Sequence, residues 1–144
     1  MKMYLFSTAL LGLTVISCSA QDLKKSEVPQ QVQNACAQKF PESSHAKIAW
    51  EKEKGNYEAN WGGRSGEDNS ALFSPAGMFI EIVKAIPVSQ LPAGVAQYVQ
   101  AHEHGAKIKE AGLVTDAKGM VTYEAEIKGK DLIFDKAGKF IKVD

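Results

Sequence analysis

Glu58 and Glu124 share one local setting, as Tyr57-Glu58-Ala59 and Tyr123-Glu124-Ala125. Two carboxylates can divide acid and base roles across a reacting bond. Alternation favours a plainer reading: Tyr and Ala point inward, and Glu faces water on the open side of a half-buried strand. A further reading makes the two glutamates markers of a polar binding face opposite the helices. His102 and His104 flank Glu103, with His45 far away in sequence. Residues two apart on a helix point in different directions, unlike the i, i+4 pair that grips zinc. A structural or capping role at a helix C-terminus suits them better. Trp61 stands at a strand end before the polar loop 62–69, which contains Arg64. Loops held by a rigid scaffold are where binding residues concentrate, so Trp61, Arg64, Glu58 and Glu124 are the candidate partner-binding residues.

The remaining chemistry is thin. Cys36 lies between two alanines on a predicted helix and reads as a small buried residue; no Cys-His signature surrounds it. Gly62-Gly63-Arg64-Ser65-Gly66 lacks the Gly-Lys-Ser/Thr ending of a phosphate loop and opens no helix. No nucleophile elbow is present, and the Asp-Lys-Ala-Gly segment at 135–138 is turn chemistry with too few acids for calcium. No catalytic residue, metal site or cofactor is assigned.

The 144 residues carry 17 basic and 17 acidic side chains, so nothing in the net charge draws nucleic acid or an anionic membrane. Residues 1–20 read as a secretory signal: a short basic start, an apolar run from Tyr4 to Ile16, then small residues. Two cleavage readings compete. Cys18-Ser19-Ala20 before Gln21 suits ordinary signal peptidase. Val15-Ile16-Ser17-Cys18 suits a lipobox, with Cys18 lipidated as the new N-terminus, and is slightly favoured. A lipid anchor there would be the sole membrane attachment. Residues 21–144 make one domain, which opens with a polar lead-in or tether over 21–27.

Internal repetition organises that domain. Val28-Pro29 and Leu91-Pro92 each open a helical stretch, and Phe73 to Ile80 is answered by Phe134 to Ile141. Two units follow, 28–86 and 91–144, each a helix and then an antiparallel meander. In the first helix Val32, Ala35, Cys36 and Phe40 share a stripe; in the second Val95, Tyr98, Val99 and His102 do, with Gly105 as left-handed cap. Strands are predicted over 46–53, from Tyr57 to Trp61, over 70–74, 78–84 and 107–115, from Val121 to Lys128, around 132–134, and over 139–143. In the strand over 78–84, Met78, Ile80 and Ile82 share one face, and Phe79, Glu81 and Val83 the other. The core reading places Tyr57 and Tyr123 inward. The expected fold is α+β, with both helices on one face of antiparallel sheet; whether the units fuse one sheet stays open.

These landmarks resemble the PepSY-like family. Val28-Pro29, Lys39-Phe40-Pro41, Ile48-Ala49-Trp50-Glu51, Tyr57-Glu58-Ala59, Phe73, Gly77, Leu91-Pro92, Tyr123-Glu124-Ala125 and Phe134-Asp135 with Gly138 carry the likeness over residues 26–143. The resemblance implies a small exported envelope protein whose fold is like that of the β-lactamase-inhibitor protein, with a concave binding face. It transfers no catalytic residues. Asn34-Ala35-Cys36 departs from the apolar or aromatic residue often found early in the first helix, which implies looser packing there. The expected function is therefore a non-enzymatic envelope protein that binds a protein or peptide such as a protease. The alternative is binding of a small ligand or metal in a groove between the units.

Overall fold

Proline sets both helix starts. In the computed structural model, which describes residues 21–144, Pro29 and Pro92 are N-caps with φ −55°. The helices α1 (Gln30–Lys39) and α2 (Ala93–His102) follow them. The proline ring presets φ and lacks an N–H where the helix needs none. Pro41 forces Phe40 out of helical geometry and starts a 3-10 turn, Pro41–His45. Gly105 caps α2 by donating to the Val99 carbonyl at 3.2 Å, and His104 joins it in the left-handed region, with φ 54°. No described helix is long and apolar enough to cross a membrane. The signal segment and Cys18 lie outside the described residues.

Among the described residues nine strands form one antiparallel sheet in chain order, so the two halves share it. They are β1 (Gln21–Leu23), β2 (Ala49–Glu53), β3 (Asn56–Trp61), β4 (Asn69–Phe73), β5 (Phe79–Ile86), β6 (Glu110–Asp116), β7 (Val121–Ile127), β8 (Lys130–Phe134) and β9 (Phe140–Val143). Ladder pairing of β5 with β6, from Glu81–Asp116 to Ile86–Ala111, fuses the halves. Residues 21–23, expected in a tether, instead form an edge strand on β2. A three-residue strand is too short for alternation to reveal. Lys54-Gly55 and Lys128-Gly129 turn the chain with positive φ at both residues, as a two-residue hairpin requires. Asp116 and Asp135 fix two longer turns, their Oδ1 atoms each accepting two backbone N–H groups at 2.8–2.9 Å.

Both helices cover the same face. Val32 and Cys36 pack with Trp50, Ala59, Trp61, Ala71, Phe73 and Ile82, while Val95 and Val99 pack with Ala125, Ile127, Leu132 and Phe134. Tyr57 pairs with Phe73 and Tyr123 with Phe134, and both tyrosines are half-buried against these clusters. Two bulges break the expected alternation. After Leu72 the register skips Ile80, so Phe79 joins Ile82 on the covered face. After Ile133 it skips Ile141, which is exposed. His102, expected on the inward stripe, is exposed and stacks on Tyr98 with ring centroids 4.3 Å apart.

Candidate functional site

The uncovered face is not flat. Six inter-strand steps separate β3 from β9, roughly 29 Å in a flat sheet. Yet Lys54, in the β2–β3 turn, reaches Asp144, just beyond β9, at 3.2 Å. The sheet must therefore curl, with its helix-free side inward. Lys142 also reaches Asp144, at 3.4 Å, so the clasp carries two cations on one carboxylate. Among the hollows inside the curl, those of about 530 and 370 Å³ are contiguous. Glu58, Ser70, Val83 and Glu124 line both, so the hollows form one trough.

Register decides what points into it. Glu58 pairs with Leu72, and Glu124 lies between Gly112 and Ile133 on its neighbouring strands. On that face, acids stand directly opposite acids: Asp22 and Glu51, Glu51 and Glu58, Glu81 and Asp116, Glu110 and Glu126, Glu126 and Asp131. Like charges so placed oppose folding.

Electrostatics follow from this crowding. Burial pushes the Glu58 carboxyl up to about 7, helped by the charge of Glu53, a hydrogen bond shared with it, and Glu51; the Ser70 hydroxyl pulls the other way. Two carboxyls can share a hydrogen bond only if one keeps a proton. Burial likewise pushes Glu124 up to about 7, with Asp131, Glu81, Asp144 and Glu53 adding repulsion. Burial also raises Glu51, Glu81 and Asp131, again reinforced by neighbouring acids. Asp144 departs from the pattern. Burial alone would raise it, but hydrogen bonds and charge from Lys54 and Lys142 prevail and lower it.

The sequence candidates divide on this frame. Glu58 and Glu124 do lie on the uncovered face, but curvature leaves them half-buried instead of freely solvated. Trp61 requires correction. It is 3% exposed and packs beneath Phe40, ring centroids 5.4 Å apart, because its parity in β3 matches that of Ala59. Arg64 is exposed in the loop 62–69, and its neighbours Ser65, Glu67 and Asp68 reach the trough wall. Cys36 is buried, its Sγ 3.7 Å from the Ser43 hydroxyl, and burial raises its thiol. No three His, Cys, Asp or Glu residues among those described are grouped to hold a metal ion. Sequence reading missed Glu53, Glu81, Asp131 and Asp144. For Glu53 the visible signal was the i, i+2 pair Glu51-x-Glu53, since alternation puts both members on one face.

Comparison with known proteins places this architecture. No curated protein matches the chain significantly. The fold is similar to that of a protein described as a putative periplasmic protein from Bacteroides eggerthii, 17% identical, with TM-score 0.64 over 81% of this chain and 88% of that one. A DUF2874 family protein from Bacteroides ovatus is similar at 17% identity, TM-score 0.61, over 81% and 86%. A BLIP-like protein from Bacteroides fragilis is similar at 15% identity, TM-score 0.56, over 81% and 84%. At these identities the likeness is one of fold. Residues 14–64 and 62–142 match the family described as "Putative beta-lactamase-inhibitor-like, PepSY-like". With the helix starts, the single antiparallel sheet and this match together, the chain belongs to the PepSY-like family.

Proposed function

We propose that this chain is a non-enzymatic, exported binding protein that engages a protein or peptide partner, such as a protease, through the concave face of its sheet. The observation that carries this reading is the curl clasped by Lys54 and Asp144, which turns a helix-free sheet face into a trough. A concave face with a half-desolvated interior and a polar rim suits recognition. Glu58 and Glu124 line the interior, and Arg64 stands in the loop at its edge. Export is supported by the signal-like segment 1–20 and by the similar fold of the Bacteroides eggerthii protein described as a putative periplasmic protein. Tethering through a lipidated Cys18 predicts a mature N-terminus at that residue carrying acyl mass; a chain starting at unmodified Gln21 would remove the tether.

The same reading treats the chain as two tandem units, 28–86 and 91–144, that build the trough jointly. Matched geometry supports it: prolines cap both helices, Tyr57 faces Phe73 as Tyr123 faces Phe134, and bulges follow Leu72 and Ile133. The volume of the trough also favours a second reading, a small ligand held between the units.

A photo-crosslinking residue tests the binding surface inside the native host. Placed at Ser65 on the trough wall, it is expected to give adducts of discrete mass. Placed at Gln97, exposed on α2, it is expected to give none. Adducts from Gln97 alone, or equally from both, would contradict a partner on the concave face. A small-ligand protein would give no adduct at either position and a raised melting temperature with a metabolite.

A further inference from the structure

We propose that the trough takes an extended cationic segment of a protein partner, with a lysine or arginine head group in the hollow that Glu58 and Glu124 share. This deepens the function proposed above and rests on the concave face being the binding surface.

Charge complementarity is the first ground. The chain is neutral overall, with 17 residues of each sign, yet its concave face is not. Five cross-strand pairs there set acid against acid, and among the described residues no strand ladder sets a lysine or arginine against an acid. The local cations stand at the margins. Lys54 and Lys142 hold Asp144, and Lys109 lines the trough beside Glu110. A face that keeps this much repulsion in the free protein gains most from an incoming positive charge.

Shape is the second ground. Between β3 and β7 the floor includes the small or apolar residues Ser70, Val83, Ala85 and Gly112, beside the further acid Glu81. A Cβ at Gly112 would stand 2.5 Å from Val83 Cγ1, so any larger residue there would raise the floor. A low apolar floor flanked by carboxylates fits the stem and head of a lysine or arginine. The acids are strung along strands from β2 to β8 without grouping into a metal cage, which matches an extended chain better than a point ion.

Protonation supplies a supporting signature. Glu58 faces Glu51 and Glu53 from β2 and Ser70 from β4. Glu124 faces Glu81 from β5, Gly112 from β6, Asp131 from β8, Glu53 from β2, and Asp144, itself held by Lys54 and Lys142. Both glutamates retain protons near neutrality, so a bound cation must displace them, and affinity rises with pH.

A fluorescein-labelled peptide alternating lysine and valine, with its Gln-for-Lys and Glu-for-Lys counterparts, tests this by anisotropy on the intact protein at pH 8. The lysine peptide is expected to bind at least tenfold more tightly than the glutamine peptide, and the glutamate peptide not to bind. Affinity for the lysine peptide should fall on going to pH 6, and at least tenfold in Glu58→Gln/Glu124→Gln, with the glutamine peptide unaffected. No binding of the lysine peptide, equal binding of lysine and glutamine peptides, or an unchanged affinity in the double variant would overturn the proposal. Amide chemical-shift mapping on the wild-type protein guards against a variant that fails to fold: the lysine peptide should perturb β3 to β7 at their trough-facing positions. Equal lysine and glutamine perturbations within the trough would overturn the cationic preference and leave the binding face standing. Perturbations confined to α1 and α2 would overturn both.

Discussion

Glu58 and Glu124 hold their protons more tightly in the folded chain than in the unfolded one, because burial and neighbouring acids penalise the charge. The sign follows. Their contribution to stability is fully present below the ordinary glutamate value of 4.5 and is lost as pH rises through about 7. Wild-type stability should therefore fall between those limits in urea denaturation. Glu58→Gln and Glu124→Gln should flatten that fall and raise stability at pH 8, each by about 1–2 kcal/mol once solvent screening is discounted. A double variant less stable than wild type at pH 8 would show that these carboxylates are stabilising, against the crowding described. That both glutamates leave the covered face was legible from alternation around Tyr57 and Tyr123. Their altered proton affinity was not, since it depends on Glu53, Asp131 and Asp144 arriving from other strands.

At the scale of elements, each helix is fixed by what its N-terminus rests on. Gly94 in α2 touches the turn at Gly138, and an added Cβ would stand 2.7 Å from that residue's carbonyl oxygen. Gly94→Ala sets two effects against each other. Helix propensity favours alanine by about 1 kcal/mol, while a clash with backbone costs about 1–3 kcal/mol. The clash should prevail, because a backbone carbonyl in a tight turn cannot rotate away as a side chain can. A lowered melting temperature is expected; a raised one would show that the helix and turn separate easily. Phe73 and Phe134 are fully buried in the two core clusters, so Phe73→Ala and Phe134→Ala should each cost about 3–5 kcal/mol in denaturant titrations. Helix starts and most strands were readable because proline and alternation act locally. Bulges escaped because they are relations between two strands, visible only when Phe79 is found opposite Phe73. Trp61 was misplaced for a related reason: the polar loop after it suggested a surface, whereas its parity with Ala59 placed it in the core.

For the whole molecule, curvature was expected only through the family resemblance, because neither alternation nor turn chemistry encodes it. Nothing in the residues around Lys54 or Asp144 announces that a β2–β3 turn meets the chain end beyond β9. The clasp is solvent-exposed, so Lys54→Ala should change stability by less than about 1 kcal/mol. It should nevertheless raise the Asp144 carboxyl, whose low value depends on Lys54, and speed amide exchange at β9. Unchanged exchange at β9 would mean that the curl is held by the ladder alone. The central claim is that the sheet encloses its acidic face instead of exposing it. Carboxyl-detected NMR titration of Glu58 and Glu124 tests that most directly. Midpoints near 7 for both are predicted, and midpoints near 4.5 for both would contradict an enclosed trough.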